Sequence, residues 1–533
     1  MDDARQHRDR TPERPPPGMD DGPTVRRPWR MAATLAAGFG LLYLATLSRN
    51  FSGDTVRFAI KAETQGPLGG MDLYHVFNQP LAWLAWRTAR LVGWQDRALV
   101  PIQVPNALAG GAAVGLMFLL ARRLGLSTRA ALVAGAGLGL SCATWLLATD
   151  GEYVTPGLAM ALLPLVLFYG ASTAALARPR FAAALGCSLA LSGLAFQTNL
   201  LLIPVLLWAL ALRGDLPPAQ RRRTAGVMLA TALGLYPAGY GLAMGARPGP
   251  LHWSDWRLHP GLGLAYGLPN WSSLPHGAYA LVRSLVGFPG LSLSDSTREL
   301  WAAASGAWRA GFVAWYALAA LLFAMPLTMA MRGRRRDAAP EDRAWRPFLL
   351  WALLAGAFAV FWVPGDLSFW VVLLVPWWLL AGQQLGDRPL GPALMALLAL
   401  VNGAALVLPN HDASRNLAYS EASDLAGAMR AGDLMMLPVE GRLQVYTYYL
   451  TRGAVFVPGA GGDALPESAR VAANIAKAFE RTSQRGGRLL VYGWGTGAWD
   501  GVPGVEARGT LPGGYRLVAV ESEAIGGAYV LTR

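Results

Sequence analysis

Charge is scarce in this 533-residue chain: Asp, Glu, Lys and Arg together make up 15%, against 53% hydrophobic residues and a mean hydropathy of +0.32. Ordinary soluble domains carry about a quarter charged residues, so the composition excludes a simple water-soluble enzyme. Cysteine is almost missing. The two present, Cys142 and Cys187, both fall in apolar stretches, which excludes a disulfide framework and a CxxC metal site. No internal repeat is visible, which weighs against the inverted-repeat transporters. Residues 1–29 lack any apolar run and are rich in Arg, Asp and Pro. They predict a disordered cytoplasmic tail, with the first apolar stretch acting as an uncleaved signal anchor.

What the chain has in quantity is apolar stretches of membrane-crossing length. A hydrocarbon layer about 30 Å thick needs roughly 20 apolar residues in a helix. About eleven spans are predicted, near 31–48, 99–121, 130–148, 153–172, 181–197, 199–212, 224–245, 309–331, 347–363, 367–385 and 389–408. The net charge of +13 comes largely from arginine clusters between these stretches, such as Arg221, Arg222 and Arg223, or Arg334, Arg335 and Arg336. Clusters so placed orient spans and meet anionic lipid head groups rather than nucleic acid. They predict a cytoplasmic N-terminus, a multi-pass protein of the plasma (inner) membrane, and an outer C-terminal segment. The fold class expected is therefore a polytopic α-helical membrane protein. Residues 30–408 form its membrane domain, and residues 409–533 form a small outer α/β domain.

Four segments fall on the outer side. The first, about 49–98, carries Asp54, Arg57 and Lys61 three to four residues apart among Val56, Phe58, Ala59 and Ile60, the pattern of a helix lying along the interface. A break at Gly66-Pro67-Leu68-Gly69-Gly70 precedes a second interfacial helix starting near Pro80, with Trp83, Trp86 and Trp94 at interfacial depth. The second segment is the tight turn Thr149-Asp150-Gly151-Glu152-Tyr153. The third, about 246–308, mixes His252, Asp255, Arg257, His259, His276 and Arg283 with tryptophans, at no metal-binding spacing. The fourth is the hairpin Val363-Pro364-Gly365-Asp366. From the residues alone, Asp54 and Arg57 suit an ion pair at a helix N-terminus as well as chemistry, and Asp150 and Glu152 suit a helix cap.

Asp54-Thr55-Val56-Arg57-Phe58-Ala59 resembles the acidic stretch after the first span in the glycosyltransferase C superfamily, especially its aminoarabinose transferase and protein O-mannosyltransferase-like branch. Asn78-Gln79-Pro80-Leu81-Ala82-Trp83 is similar to the element opening that family's second interfacial helix. Val104-Pro105-Asn106-Ala107-Leu108 resembles its second span, and Thr149-Asp150 its second acidic site. The resemblance implies an inverting transfer of sugar from a polyprenyl-phosphate donor to a lipid, glycan or protein acceptor on the outer face. It implies Asp54 as the catalytic carboxylate, Arg57 and Lys61 as donor-phosphate cations, and Asp150 with Glu152 as ligands of a possible divalent cation. The Glu-Lys pair that aminoarabinose transferases carry before this element is replaced here by Phe77 and Asn78, and Gln79 stands for the first Pro. A family metal ligand and a phosphate-binding Lys are thus missing, with His75 near enough to substitute as a metal ligand.

Two other classes fit parts of the pattern. A lipid or polysaccharide transporter or flippase places ionisable residues at mid-membrane depth, whereas these spans are nearly free of them. An O-antigen ligase or polymerase would rest on outer residues such as Arg257 and His259. In the C-terminal segment, 433–437, 489–492, 515–520 and 528–531 read as strands, and Glu467 to Thr482 as an amphipathic helix after Pro466. Gly493-Trp494-Gly495-Thr496-Gly497 follows a strand but lacks GxGxxG spacing, and reads as a loop.

Overall fold

The computed structural model describes residues 26–69, 76–245, 273–288, 305–333, 345–437, 442–456, 467–492, 516–519 and 528–532. His75, the stretch from His252 to Trp271 and Gly493 to Gly497 lie outside the described residues, as do residues 1–25 of the tail. The protein is mostly helical, with a small sheet near its C-terminus.

Among the described residues, five helices are long and apolar enough to cross a membrane: Pro101–Arg123, Pro218–Ala243, Gly306–Met331, Leu367–Leu385 and Leu390–His411. A sixth arises if two helices bent by 57° at Ser141, Thr128–Leu140 and Cys142–Thr149, count as one broken span. Four shorter apolar helices, Val154–Gly170, Pro179–Ala195, Gln197–Ala211 and Arg346–Trp362, pack among them. The chain is thus a multi-pass membrane protein by the length and composition of its helices.

Helix α1 (Arg26–Ala45) lies along α3 (Val104–Arg123), whose small residues allow the approach. A Cβ on Gly111 would sit 2.3 Å from the Ala36 carbonyl oxygen, and one on Gly115 2.6 Å from that of Ala32. Only glycine fits at both, the small-xxx-small logic of membrane helix packing. The contact fixes where α1 ends, and hence where the following Ser48–Ser52 stretch enters helix α2 (Gly53–Thr64).

The break at Ser141, between α4 (Thr128–Leu140) and α5 (Cys142–Thr149), is held by partners far along the chain. Asn402 Nδ2 donates 2.8 Å to the Leu140 carbonyl, and Trp378 Nε1 donates 2.8 Å to Ser141 Oγ. A carbonyl released from a helix ladder in an apolar interior must find such a donor. The same Asn402 donates 3.0 Å to the Leu285 carbonyl at the end of α6 (Ser273–Leu285) and accepts from the Gly287 N–H at 2.9 Å. One side chain therefore fixes the ends of two helices that lead toward the same site.

Both helices predicted in the first long loop are present, as α2 and as Asn78–Leu91. Arg87 lies over Trp83 and Arg90 over Trp86, each 5.5 Å from the ring centroid. The C-terminal sheet comprises β1 (Leu434–Met436), β2 (Val455–Phe456), β3 (Leu489–Tyr492), β4 (Arg516–Ala519) and β5 (Ala528–Thr532), in the order β2-β1-β3-β5-β4. The first three strands are parallel and β5 runs antiparallel to β3 and β4. Helices α7 (Arg442–Leu450) and α8 (Glu467–Gln484) connect the parallel strands.

Candidate functional site

Helix α2 begins where the sequence says a helix should. Ser52, with extended backbone (φ −68°, ψ 158°), accepts the Thr55 N–H at 3.1 Å, and Asp54 occupies the first turn, where a carboxylate favours the helix dipole. Val56, Phe58, Ala59 and Ala62 are buried, while Asp54 and Arg57 stay exposed. Arg57 donates to Asp54 across 3.4 Å, with side chains 64% and 59% exposed. A pair so open to water is worth well under about 1 kcal/mol, and stability does not explain its presence. Lys61 lies one turn further on, its ammonium 5.9 Å from the Phe58 ring centroid.

The turn after α5 meets α2 through a buried polar layer. Thr55 Oγ1 donates 2.7 Å to Asp150 Oδ1 and accepts the Gly151 N–H at 2.9 Å. Since the one Thr55 hydroxyl proton goes to Asp150, the 2.9 Å contact of Ser52 Oγ with Thr55 Oγ1 is a bond that Ser52 donates. A Cβ on Gly151 would sit 2.6 Å from the Thr55 methyl. Behind this layer Gln103 Nε2 donates 2.9 Å to the carbonyls of both Ser48 and Thr149, and Asn106 Nδ2 donates 2.5 Å to the Asp150 carbonyl. Tyr153 takes a left-handed backbone (φ 60°), unusual for an aromatic residue, and stacks edge-on against Phe58 with centroids 5.7 Å apart.

Asp150 is fully buried, and its Oδ2 lacks a hydrogen-bond partner among the described residues. Burial raises its pKa above the usual carboxylate range, against the opposing hydrogen bonds from Ser52, Thr55 and Gly151. Glu152 is pushed well above that range, first by burial and then by the negative fields of Asp150, Asp54 and Asp366.

These elements line a cleft of about 430 Å³ that brings together Asp54, Arg57, Glu152, Arg283 and Asp366. Arg283 comes from α6 and is only 5% exposed. Asp366 caps the short helix Leu367–Trp370, accepting the Ser368 N–H at 2.8 Å. The hairpin is held by Trp370, which donates 2.9 Å to the Pro364 carbonyl and packs its ring against Gly277 of α6. Of the residues singled out by sequence, Asp54, Arg57 and Glu152 line the cleft. Asp150 lies behind it, and Lys61 is not among the lining residues. Sequence reading found the segments carrying Arg283 and Asp366 but gave those two no role. A basic residue late in an apolar stretch and an acid in a tight hairpin were the available signals.

Among the described residues no three His, Cys, Asp or Glu side chains stand together as metal ligands. Asp150 and Glu152 supply oxygen donors suited to a hard cation, but no third donor joins them among the described residues.

At its far end α2 is gripped by the C-terminal segment. Glu63 accepts from Arg97 Nε at 2.9 and 3.1 Å, from the Ala98 N–H at 2.9 Å and from the Tyr449 hydroxyl at 2.9 Å. The Arg97 guanidinium also lies 3.8 Å from the Tyr449 ring centroid and donates 2.7 Å to its carbonyl. At the near end the Tyr446 hydroxyl donates to the Phe51 carbonyl, and Asn416 Nδ2 donates 3.1 Å to that of Arg49.

No family model matches the chain, and no curated protein matches it. Solved structures do. ArnT from Cupriavidus metallidurans bound to undecaprenyl phosphate matches at TM-score 0.52 and 13% identity, over 93% of this chain and 97% of that chain. The apo state of the same protein matches at TM-score 0.53 and 12% identity, over 95% and 98%. A chain of the S. cerevisiae protein O-mannosyltransferase Pmt1-Pmt2 complex bound to the sugar donor matches at TM-score 0.34 and 17% identity. That match covers 41% of this chain and 33% of the other, so this chain spans about a third of its length. The chain therefore has the ArnT fold, in keeping with the resemblance of its Asp54–Ala59 stretch to the glycosyltransferase C superfamily.

Proposed function

We propose that this protein is an inverting membrane glycosyltransferase that moves a sugar from a polyprenyl-phosphate donor to a lipid, glycan or protein acceptor at the outer face of the plasma membrane. The observation that carries the reading is the cleft in which Asp54 stands beside two arginines drawn from separate elements. That ArnT with the same fold has been seen with undecaprenyl phosphate supports a lipid-phosphate donor.

In this reading the acceptor hydroxyl attacks the anomeric carbon from the face opposite the phosphate. The new carbon–oxygen bond forms as the bond to the phosphate oxygen breaks, and the hydroxyl proton passes to Asp54. Arg57 and Arg283 hold the departing phosphate, whose charge grows as the bond breaks. Lys61 extends the cationic face of α2 toward the lipid head groups. Glu152, its carboxyl held above the usual range by burial and the neighbouring acids, lines the same cleft and hydrogen-bonds donor or acceptor, while Asp150 holds α2 in place.

The eleven-span arrangement belongs to the same proposal. It takes α1 and the shorter apolar helices as further crossings, with the N-terminus in the cytoplasm. Residues 409–533 form an outer domain bearing on the start and end of α2.

The test is transfer of radiolabelled sugar from a panel of polyprenyl-phosphate donors by expression-matched membranes carrying the wild type or Asp54→Asn. Losing one positioned base lowers transfer by roughly 10²-fold or more. Equal transfer by both would remove Asp54 from the mechanism, and no transfer from any donor by the wild type would overturn the reading.

A further inference from the structure

A second cavity, of about 470 Å³, lies wholly in the C-terminal segment and shares no residue with the cleft. It opens at the N-terminal ends of β1 and β2, beneath α8. Lys477, Arg481 and Arg485 line it at intervals of four along α8 and its exit, so all three face the same way. Arg452 faces them from the turn between α7 and β2, held in a left-handed conformation (φ 56°) that a non-glycine residue seldom takes. All four are exposed, and none has a carboxylate partner among the described residues.

Among its described lining residues the cavity has one carboxylate, and that one is already engaged. Asp433 is buried and receives Arg488 Nη2 at 2.6 Å, together with the N–H groups of Arg430 at 2.9 Å and Arg488 at 2.8 Å. Its charge is thus matched by Arg488, outside the cavity, and among the described residues no carboxylate compensates the four lining cations. Basic residues at a helix C-terminus favour the dipole, which accounts for Arg481. The dipole does not account for Arg452, which comes from another element, nor for like charges repeating along one face around a concave space. Such a constellation is what a phosphate with several acceptor oxygens requires.

We infer that this cavity binds a phosphate-bearing group, carried either by a lipid head group or by a phosphorylated glycan. Its place favours a ligand near the membrane: Arg452 follows by three residues the Tyr449 that is bonded to Glu63 on α2. The inference stands apart from the transfer reaction, since it uses none of the cleft residues.

The experiment uses the full chain in nanodiscs of phosphatidylcholine, titrated with inorganic pyrophosphate at fixed ionic strength and followed by hydrogen exchange over residues 452–456 and 477–487. The expected result is protection of both segments in the wild type, with apparent affinity at least 10-fold weaker in the Arg481→Gln/Arg485→Gln double variant. Arg430→Gln, which removes an exposed cation outside the cavity, is expected to behave as wild type. A second arm replaces a third of the lipid with phosphatidylglycerol. Protection arising there without pyrophosphate, and lost in the double variant, assigns the site to a head group. Protection by pyrophosphate alone assigns it to a glycan-borne phosphate. Equal protection in wild type and double variant, or none in either arm, would overturn the inference.

Discussion

Thr55 and Asp150, 95 residues apart in sequence, share a 2.7 Å hydrogen bond that ties the helix bearing Asp54 to the turn bearing Glu152. The cleft has its shape because a buried carboxylate holds a hydroxyl one residue beyond the candidate base. Two acidic segments that could have moved independently are thereby set against each other.

Thr55→Val keeps the volume and removes the hydroxyl. Asp150 Oδ1 would then lose its shortest hydrogen bond, the 2.7 Å one from Thr55, and be left with the longer Ser52 N–H contact at 3.5 Å. Leaving a buried acceptor unpaired costs about 1–3 kcal/mol, and the Gly151 N–H loses its acceptor as well. Thermal unfolding in detergent should show Thr55→Val destabilised by that amount and Thr55→Ser near wild type. A valine variant as stable as wild type would mean that the bond contributes nothing.

Glu152 makes stability depend on pH in a stated direction. A carboxyl whose pKa is raised on folding binds its proton more tightly in the folded state. Its contribution is therefore greatest below the unfolded value, about 4.3, and is lost as pH rises toward the shifted one. Burial and the neighbouring acids Asp150, Asp54 and Asp366 raise Glu152; Asp150 shifts in the same sense. The unfolding midpoint of the wild type should fall from pH 5 to pH 8 more steeply than that of Glu152→Gln. Parallel profiles would show that Glu152 titrates as it does in water.

The two arginines should separate by what their loss does. Arg57 is exposed, so Arg57→Gln should change stability by less than about 1 kcal/mol while raising the KM for the polyprenyl-phosphate donor roughly 10-fold, the effect of about 1.4 kcal/mol of lost binding. Arg283 is buried beside three acids, and its replacement by Gln should cost about 3 kcal/mol or more in stability as well as transfer. Arg283→Lys should not restore transfer, because an ammonium lacks the paired donors of a guanidinium. Steady-state kinetics with unfolding measurements on the same preparations decide both; a stable, active Arg283→Gln would remove it from the site.

Much of this was legible in the chain because it is local. The spacing of Asp54 and Arg57 among apolar residues and the continuous apolar run Leu489–Tyr492 each express structure within a few residues of themselves, and helix α2 and β3 follow them. The Ser141 break was not legible, since no proline marks it and the nearby Gly139 is one of three alternate glycines in an apolar run that otherwise continues as helix. It depends on Asn402, 262 residues from the carbonyl it satisfies. The same holds for Arg283, whose sequence neighbours read as a mixed loop and whose membership of the cleft depends on Trp370 and the hairpin. Strand β2, two residues long, and helix α7 carried too little periodic signal to be seen.

The bond from Tyr446 to Phe51 joins residues 395 positions apart. At roughly 5–20 residues per second of synthesis, Phe51 waits on the order of 20–80 s for its partner to exist. The segment entering α2 thus remains without its last restraint through most of translation, although α1 and α3 can pack early. A nascent chain in the membrane then carries the acids and arginines of the cleft without their final setting. The last fifth of the polypeptide times when the site is complete.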